Sequence, residues 1–123
     1  MRRRMLERLH ARGFDDLDVP HLTVFLFPGP HGARPTELAA RLRVSKQSLN
    51  YLLGQLERLG YLERRPDPDD VRSKRVMLTR RGVAAGRVMR QAVGEIEREW
   101  RARLGAQRFD QLRQLLRELV EQV

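Results

Sequence analysis

Six hydrogen-bonding side chains crowd one short stretch of the chain: Ser45, Lys46, Gln47, Ser48, Asn50 and Tyr51. Gln and Asn amides can pair bidentately with adenine, and a Lys ammonium can reach guanine acceptors. Serine hydroxyls can grip phosphate, the more readily at a helix N-terminus; equally, Ser45 could be only a helix cap and Asn50 merely solvated. Cations follow at Arg64, Arg65, Arg72, Lys74 and Arg75. Other chemistries lack their parts. The chain has no cysteine, which excludes disulfides, thiolate metal sites, cysteine nucleophiles and thiol redox sensing. His10, His21 and His31 stand in separate segments and read as surface or packing residues, so no metal is expected. Asp67, Asp69 and Asp70 share a proline-rich loop without the Gly and terminal Glu of a calcium-binding EF-hand. There is no glycine-rich phosphate loop, Gly-x-Ser-x-Gly or Ser/His/Asp arrangement. An enzyme is therefore the least favoured class, and no cofactor is expected.

Charge is distributed unevenly. The 123 residues carry 25 Lys+Arg against 16 Asp+Glu, a net charge of +9. Residues 34–81 hold 12 of the cations and 6 of the acids, whereas residues 13–33 hold only three aspartates. A positive middle is the footprint of a polyanion partner; the alternative is a charge that serves solubility. No apolar run approaches the roughly 20 residues of a membrane helix. The basic start, Met1 to Arg8, has no apolar core behind it, unlike a signal peptide. These features predict a soluble, cytoplasmic protein without a membrane partner.

Positioning such groups requires particular elements. Met5, Leu6 and Leu9 predict a short amphipathic helix over 2–12, stopped by Gly13. Residues 20–27 fit a buried strand or a short helix. Thr36 can cap a helix carrying Leu38, Ala39 and Leu42; Ser45 can cap a second with Leu49, Leu52, Leu53, Leu56 and Leu59 along one side, closed by Gly60. This is a helix-turn-helix, polar at the start of its second helix. Tyr61 to Arg65 and Arg75 to Thr79 alternate as strands, while Pro66 to Asp70 cannot pair because two prolines lack donors. A hairpin behind a helix-turn-helix makes a winged helix. From about Gly82 the chain reads as helical. Met89, Val93, Ile96 and Trp100 form one stripe; after Gly105, Phe109, Leu112, Leu116, Leu119 and Val123 form another. Left in water, these stripes would forfeit about 25 cal/mol per Å² of apolar area. A second copy would cover them, and so would an intramolecular helix pair.

The middle of the chain resembles the MarR family of bacterial transcriptional regulators. The resemblance rests on Leu38-Ala39-Ala40-Arg41-Leu42-Arg43-Val44-Ser45, on Leu56-Glu57-Arg58-Leu59-Gly60-Tyr61-Leu62-Glu63-Arg64, and on the wing pattern Asp70, Arg72, Ser73, Lys74, Val76, Leu78 and Thr79. It implies a mainly α fold with a small β-hairpin wing, a winged helix-turn-helix flanked by N- and C-terminal dimerisation helices. It further implies one domain over 1–123, with the lobe at 20–82 and dimerisation helices at 1–19 and 83–123. The expected activity is sequence-specific binding of double-stranded DNA by a homodimer, with repression of a pseudo-palindromic operator and release by a small-molecule effector. Arg34, Thr36, Ser45, Lys46, Gln47, Ser48, Asn50, Tyr51, Asp70, Arg72, Lys74 and Arg75 are the expected DNA-binding residues. In the family the wing arginine, matched here by Arg72, enters the minor groove, and the aspartate two residues earlier, here Asp70, pairs with it and orients it. Met5, Leu9, Val93, Ile96, Trp100, Phe109, Leu112, Leu116 and Leu119 are the expected dimerisation residues, and Phe14, Phe25 and Trp100 could line an effector pocket, though core packing suits each as well. Two departures stand out: Val71 replaces a frequent arginine of the family, and the N-terminal helix is short. The rival readings are a winged helix serving protein–protein assembly, which predicts little salt dependence of DNA binding, and an RNA-binding module, for which the basic region has few aromatics.

Overall fold

Capping residues and apolar spacing set the element boundaries in the computed structural model, which describes residues 1–25 and 32–121. In chain order the elements are α1 (Arg2–Ala11), α2 (Val19–Phe25), α3 (Pro35–Leu42), α4 (Lys46–Arg58), β1 (Leu62–Pro66), β2 (Lys74–Leu78), α5 (Arg80–Leu104) and α6 (Ala106–Glu121). The ambiguous apolar run is helical where it is described, and Leu26 to His31 lie outside the described residues. Thr36 does not cap α3. Arg34 occupies the cap with extended backbone, and Pro35 takes the first helical turn, where its missing N–H is no loss. Ser45 does cap α4, accepting from the Ser48 backbone N–H at 3.1 Å. Gly60 follows α4 at φ 87°, the left-handed conformation that suits glycine.

β1 and β2 pair antiparallel, from Leu62 opposite Leu78 to Pro66 opposite Lys74. Pro66 thus ends the ladder as a member of it, contrary to its expected exclusion: it lacks a donor but remains free to accept. Ala33 adds a one-residue bridge to Val76, exchanging both backbone hydrogen bonds at 3.0 and 2.8 Å. The segment entering α3 is thereby laced to the wing. α5 begins at Arg80, two residues before the predicted start, because the Thr79 hydroxyl accepts from the Gly82 N–H.

One buried cluster unites the chain: Leu22 of α2, Leu38, Leu49, Leu53 and Leu56 of the helix-turn-helix, Tyr61, Leu62 and Val76 of the hairpin, and Met5, Leu9, Ala85, Met89 and Ala92 of α1 and α5. α1 lies antiparallel to α5, and two ion pairs mark the register, Arg4–Glu99 at 2.6 Å and Arg8–Glu95 at 3.0 Å. α6 folds back on α5 through buried Phe109 and a bidentate Arg101–Asp110 pair.

Candidate nucleic-acid interface

The first turn of α4 is a polar tip on an apolar anchor. Leu49, Leu53 and Leu56 are buried, while Lys46, Gln47, Ser48, Asn50 and Tyr51 face outward. The two serines are partly committed to each other, since the Ser45 hydroxyl donates to Ser48 Oγ at 3.0 Å. Lys46, Gln47 and Asn50 make no side-chain hydrogen bond or ion pair among the described residues. Lys46 and Asn50 also line a small cleft, about 110 Å³, with Pro35, Thr36 and Leu49. The helix-turn-helix thus brings Thr36 beside the α4 tip.

The wing is organised by Asp67, which the sequence presents only as one of three loop aspartates lacking the rest of a calcium site. Asp67 is buried, and its carboxylate accepts from the Asp69 backbone N–H at 2.9 Å, Arg34 Nε at 2.6 Å and Arg75 Nε at 3.3 Å. The Asp69 N–H, together with the Arg34 and Arg75 guanidiniums, outweighs the cost of burial and lowers the carboxyl to about 2. Arg34 and Arg75, expected to touch DNA, hold the wing root against the entry to α3. A buried carboxylate between two arginines on different elements has no signature in sequence order, although its flanking prolines marked a fixed loop.

Asp70 does not pair with the Arg72 guanidinium, as the resemblance implied. Its carboxylate instead accepts from the Arg72 backbone N–H at 3.0 Å and the Ser73 hydroxyl at 3.1 Å. It shapes the turn, leaving the Arg72 side chain exposed and, with Lys74, unpartnered among the described residues. Val71 stands at the tip, 94% exposed. Arg64 and Arg65 are held by Glu57 and Glu63.

Two further networks went unforeseen. Tyr61 is fully buried and its hydroxyl donates to Asp16; Arg81 donates to Asp16 Oδ2 at 3.0 Å and to the Leu59 carbonyl, and lies 4.3 Å over the Tyr61 ring. Burial opposes ionisation of Asp16, but the Tyr61 and Arg81 hydrogen bonds hold its carboxyl below the usual value. Burial, reinforced by Asp16, raises the Tyr61 phenol. Phe14 and Phe25 pack on the same ring at 6.1 and 5.4 Å and are core residues. The second network joins His21 to α4: His21 Nδ1 accepts from the Asp18 backbone N–H at 3.0 Å, Nε2 lies 3.0 Å from Gln55 Oε1, and Gln55 Nε2 donates to the Tyr51 hydroxyl at 3.1 Å. His10 meets the Leu17 carbonyl at 2.9 Å; His31 lies outside the described residues.

The expected dimerisation set divides. Met5, Leu9, Ile96 and Phe109 are buried within their own chain, and Val93 packs against the same core, so a second copy cannot reach the four buried ones. Trp100, Leu112, Leu116 and Leu119 are exposed, joined by Leu115 and Val120. The α6 residues recur at three- and four-residue steps and form a continuous apolar face. Val123 lies outside the described residues.

A sequence model of the MarR family matches residues 15–73. No curated protein is similar enough in sequence to match. Among solved structures, the chain is similar to apo wild-type MarR from E. coli at 28% identity and a TM-score of 0.75, covering 95% of this chain and 86% of that one. A MarR transcriptional regulator from Methanosarcina mazei Go1 has the same fold at 19% identity and a TM-score of 0.77, over 98% and 86% of the two chains. So does S. aureus MepR in its DNA complex, at 18% identity and a TM-score of 0.73, over 99% and 89%.

Proposed function

From the premise that this chain carries a MarR-family winged helix, we propose that it is a sequence-specific double-stranded DNA-binding regulator acting as a homodimeric repressor. The observation that carries this reading is the set of outward, unpartnered polar groups on the two projecting parts of the fold. Lys46, Gln47 and Asn50 stand at the α4 tip, and Arg72 and Lys74 on the wing. The N-terminal end of α4 enters the major groove, the end from which side chains reach base edges. The wing lies in an adjacent minor groove, where a narrow A·T-rich tract offers Arg72 a strongly negative potential. Arg34, Arg75 and Asp70 act indirectly by fixing the wing.

Trp100 and the apolar face of α6 pair with a second copy, which removes their exposure through one isologous contact. The two lobes then address half-sites about one helical turn apart on a pseudo-palindrome. Residues 1–123 work as one unit in the cytoplasm, with no catalytic step, and a small-molecule effector favouring a different lobe spacing releases the DNA. Gel-shift titration against random and selected duplexes tests this. Arg72→Ala weakens binding severely and Gln47→Ala relaxes base preference. If neither substitution changes binding, the interface is misassigned.

A further inference from the structure

We propose that His21, buried beneath the helix-turn-helix, is a positioning residue that aims the Tyr51 hydroxyl proton at a DNA backbone phosphate. This inference rests on the DNA-binding reading above and adds to it a residue outside the interface.

One group in the network has its role fixed by covalent structure. The Asp18 backbone N–H can only donate, and it points at His21 Nδ1 at 3.0 Å. Nδ1 must therefore be the bare nitrogen of a neutral ring, and the proton resides on Nε2. Nε2 faces Gln55 across 3.0 Å and so donates to the amide oxygen. That contact orients the Gln55 amide, since the opposite orientation would set N–H against N–H. Gln55 Nε2 is then turned to Tyr51 and donates to its hydroxyl oxygen at 3.1 Å. A phenol that accepts from its neighbour keeps its own proton for another partner. Every link runs outward, from the Asp18 N–H just before α2 to an exposed oxygen on α4.

Where that oxygen stands gives the direction a purpose. Tyr51 is 64% exposed and lies one helical turn beyond Gln47, with Gln55 a further turn on, so the three form one row on α4. Base edges are within reach of the first turn of such a helix, while positions further along it meet the sugar–phosphate backbone. A phosphate oxygen can only accept. A hydroxyl pinned in the reverse sense, with its proton turned inward onto Gln55, would offer lone pairs to an anion and repel it. His21 sits 6% exposed and touches no DNA itself; it acts through Gln55.

Two measurements on the full-length protein test this. The first is the ¹⁵N–¹H correlation spectrum of the imidazole, which should show His21 as the neutral Nε2–H tautomer; the Nδ1–H tautomer would overturn the proposal whatever the DNA result. The second is affinity for a random-sequence duplex at low salt, which reports phosphate contacts without an operator. Tyr51→Phe should weaken binding on the order of tenfold, the loss of one hydrogen bond to a charged acceptor, and equally on all sequences. His21→Phe should weaken it comparably, yet add nothing once Tyr51→Phe is in place. Gln55→Met breaks the same chain while keeping the His21 ring itself, so it serves if His21→Phe fails to fold. Additive losses would mean that His21 and Gln55 act only through stability, and a loss confined to one base pair would overturn the phosphate assignment. A protein that ignores duplex DNA altogether would instead refute the regulator reading.

Discussion

The salt dependence of DNA affinity separates cations that grip DNA from those that hold the protein together. Lys46, Arg72 and Lys74 are exposed and unpartnered among the described residues, whereas Arg34 and Arg75 are committed to the Asp67 carboxylate. If each of the three free cations meets one phosphate, a dimer neutralises about six, and log K falls with log[salt] at a slope of about −5. Between 50 and 200 mM salt the affinity then drops roughly 2,000-fold. Arg72→Ala removes two of those contacts per dimer, flattening the slope to about −4 and the drop to roughly 150-fold. Arg34→Ala should leave the slope unchanged while loosening the wing. Fluorescence anisotropy of a labelled duplex titrated at several salt concentrations measures all three slopes. A slope shallower than about −2 in the unmodified protein, or equal slopes for Arg72→Ala and the parent, would refute the division of cations argued from the structure.

Three other perturbations bear on the fold. Because the Asp67 carboxyl is depressed to about 2, its stabilising contribution is complete above the ordinary carboxylate range near pH 4 and fades as pH falls toward 2; acid unfolding of Asp67→Asn followed by circular dichroism should lose that dependence. A Cβ at residue 82 would overlap the Tyr61 carbonyl oxygen and approach Leu78 Cδ2 to 3.1 Å, so Gly82→Ala should cost about 1–3 kcal/mol, visible as a lowered Tm. Leu116→Lys combined with Leu119→Lys alters only exposed positions. It should leave helicity intact while sedimentation shows the species halved in mass; a parent that already sediments as a monomer refutes the homodimer.

Local rules with a short reach were readable from the chain. The Ser45 cap, the left-handed Gly60, the apolar stripe of α4 and the break at Gly105 follow from neighbouring residues and are found as expected. The polar tip of α4 was equally legible from the residue types of its first turn, and Lys46, Gln47 and Asn50 are exposed there as expected. What escaped depends on partners far apart in sequence. Asp67 finds Arg34 across the wing root, Asp16 finds Tyr61 and Arg81, and His21 finds Gln55. The cap of α3 failed for a nearby reason: Pro35 fits the first helical turn so well that it displaced Thr36 inward. The terminal stripes were periodic without revealing their recipient, so Ile96 and Phe109 proved internal while Leu115, outside the predicted stripe, proved external.

The 25 residues of α5 make a rod about 37 Å long. One end is locked into the lobe by Gly82 against Tyr61 and by Arg81 on Asp16; the other bears Trp100 and the turn into α6. Such a rod converts angle into distance. A rocking of only about 3° where two copies meet would swing the wing root by roughly 2 Å, enough to carry a guanidinium out of register with a groove. In the proposed homodimer, the gap between the two reading heads would thus be set at the end of the molecule furthest from them, and a ligand that wedged or clamped those distal helices would change which spacing of half-sites could be read.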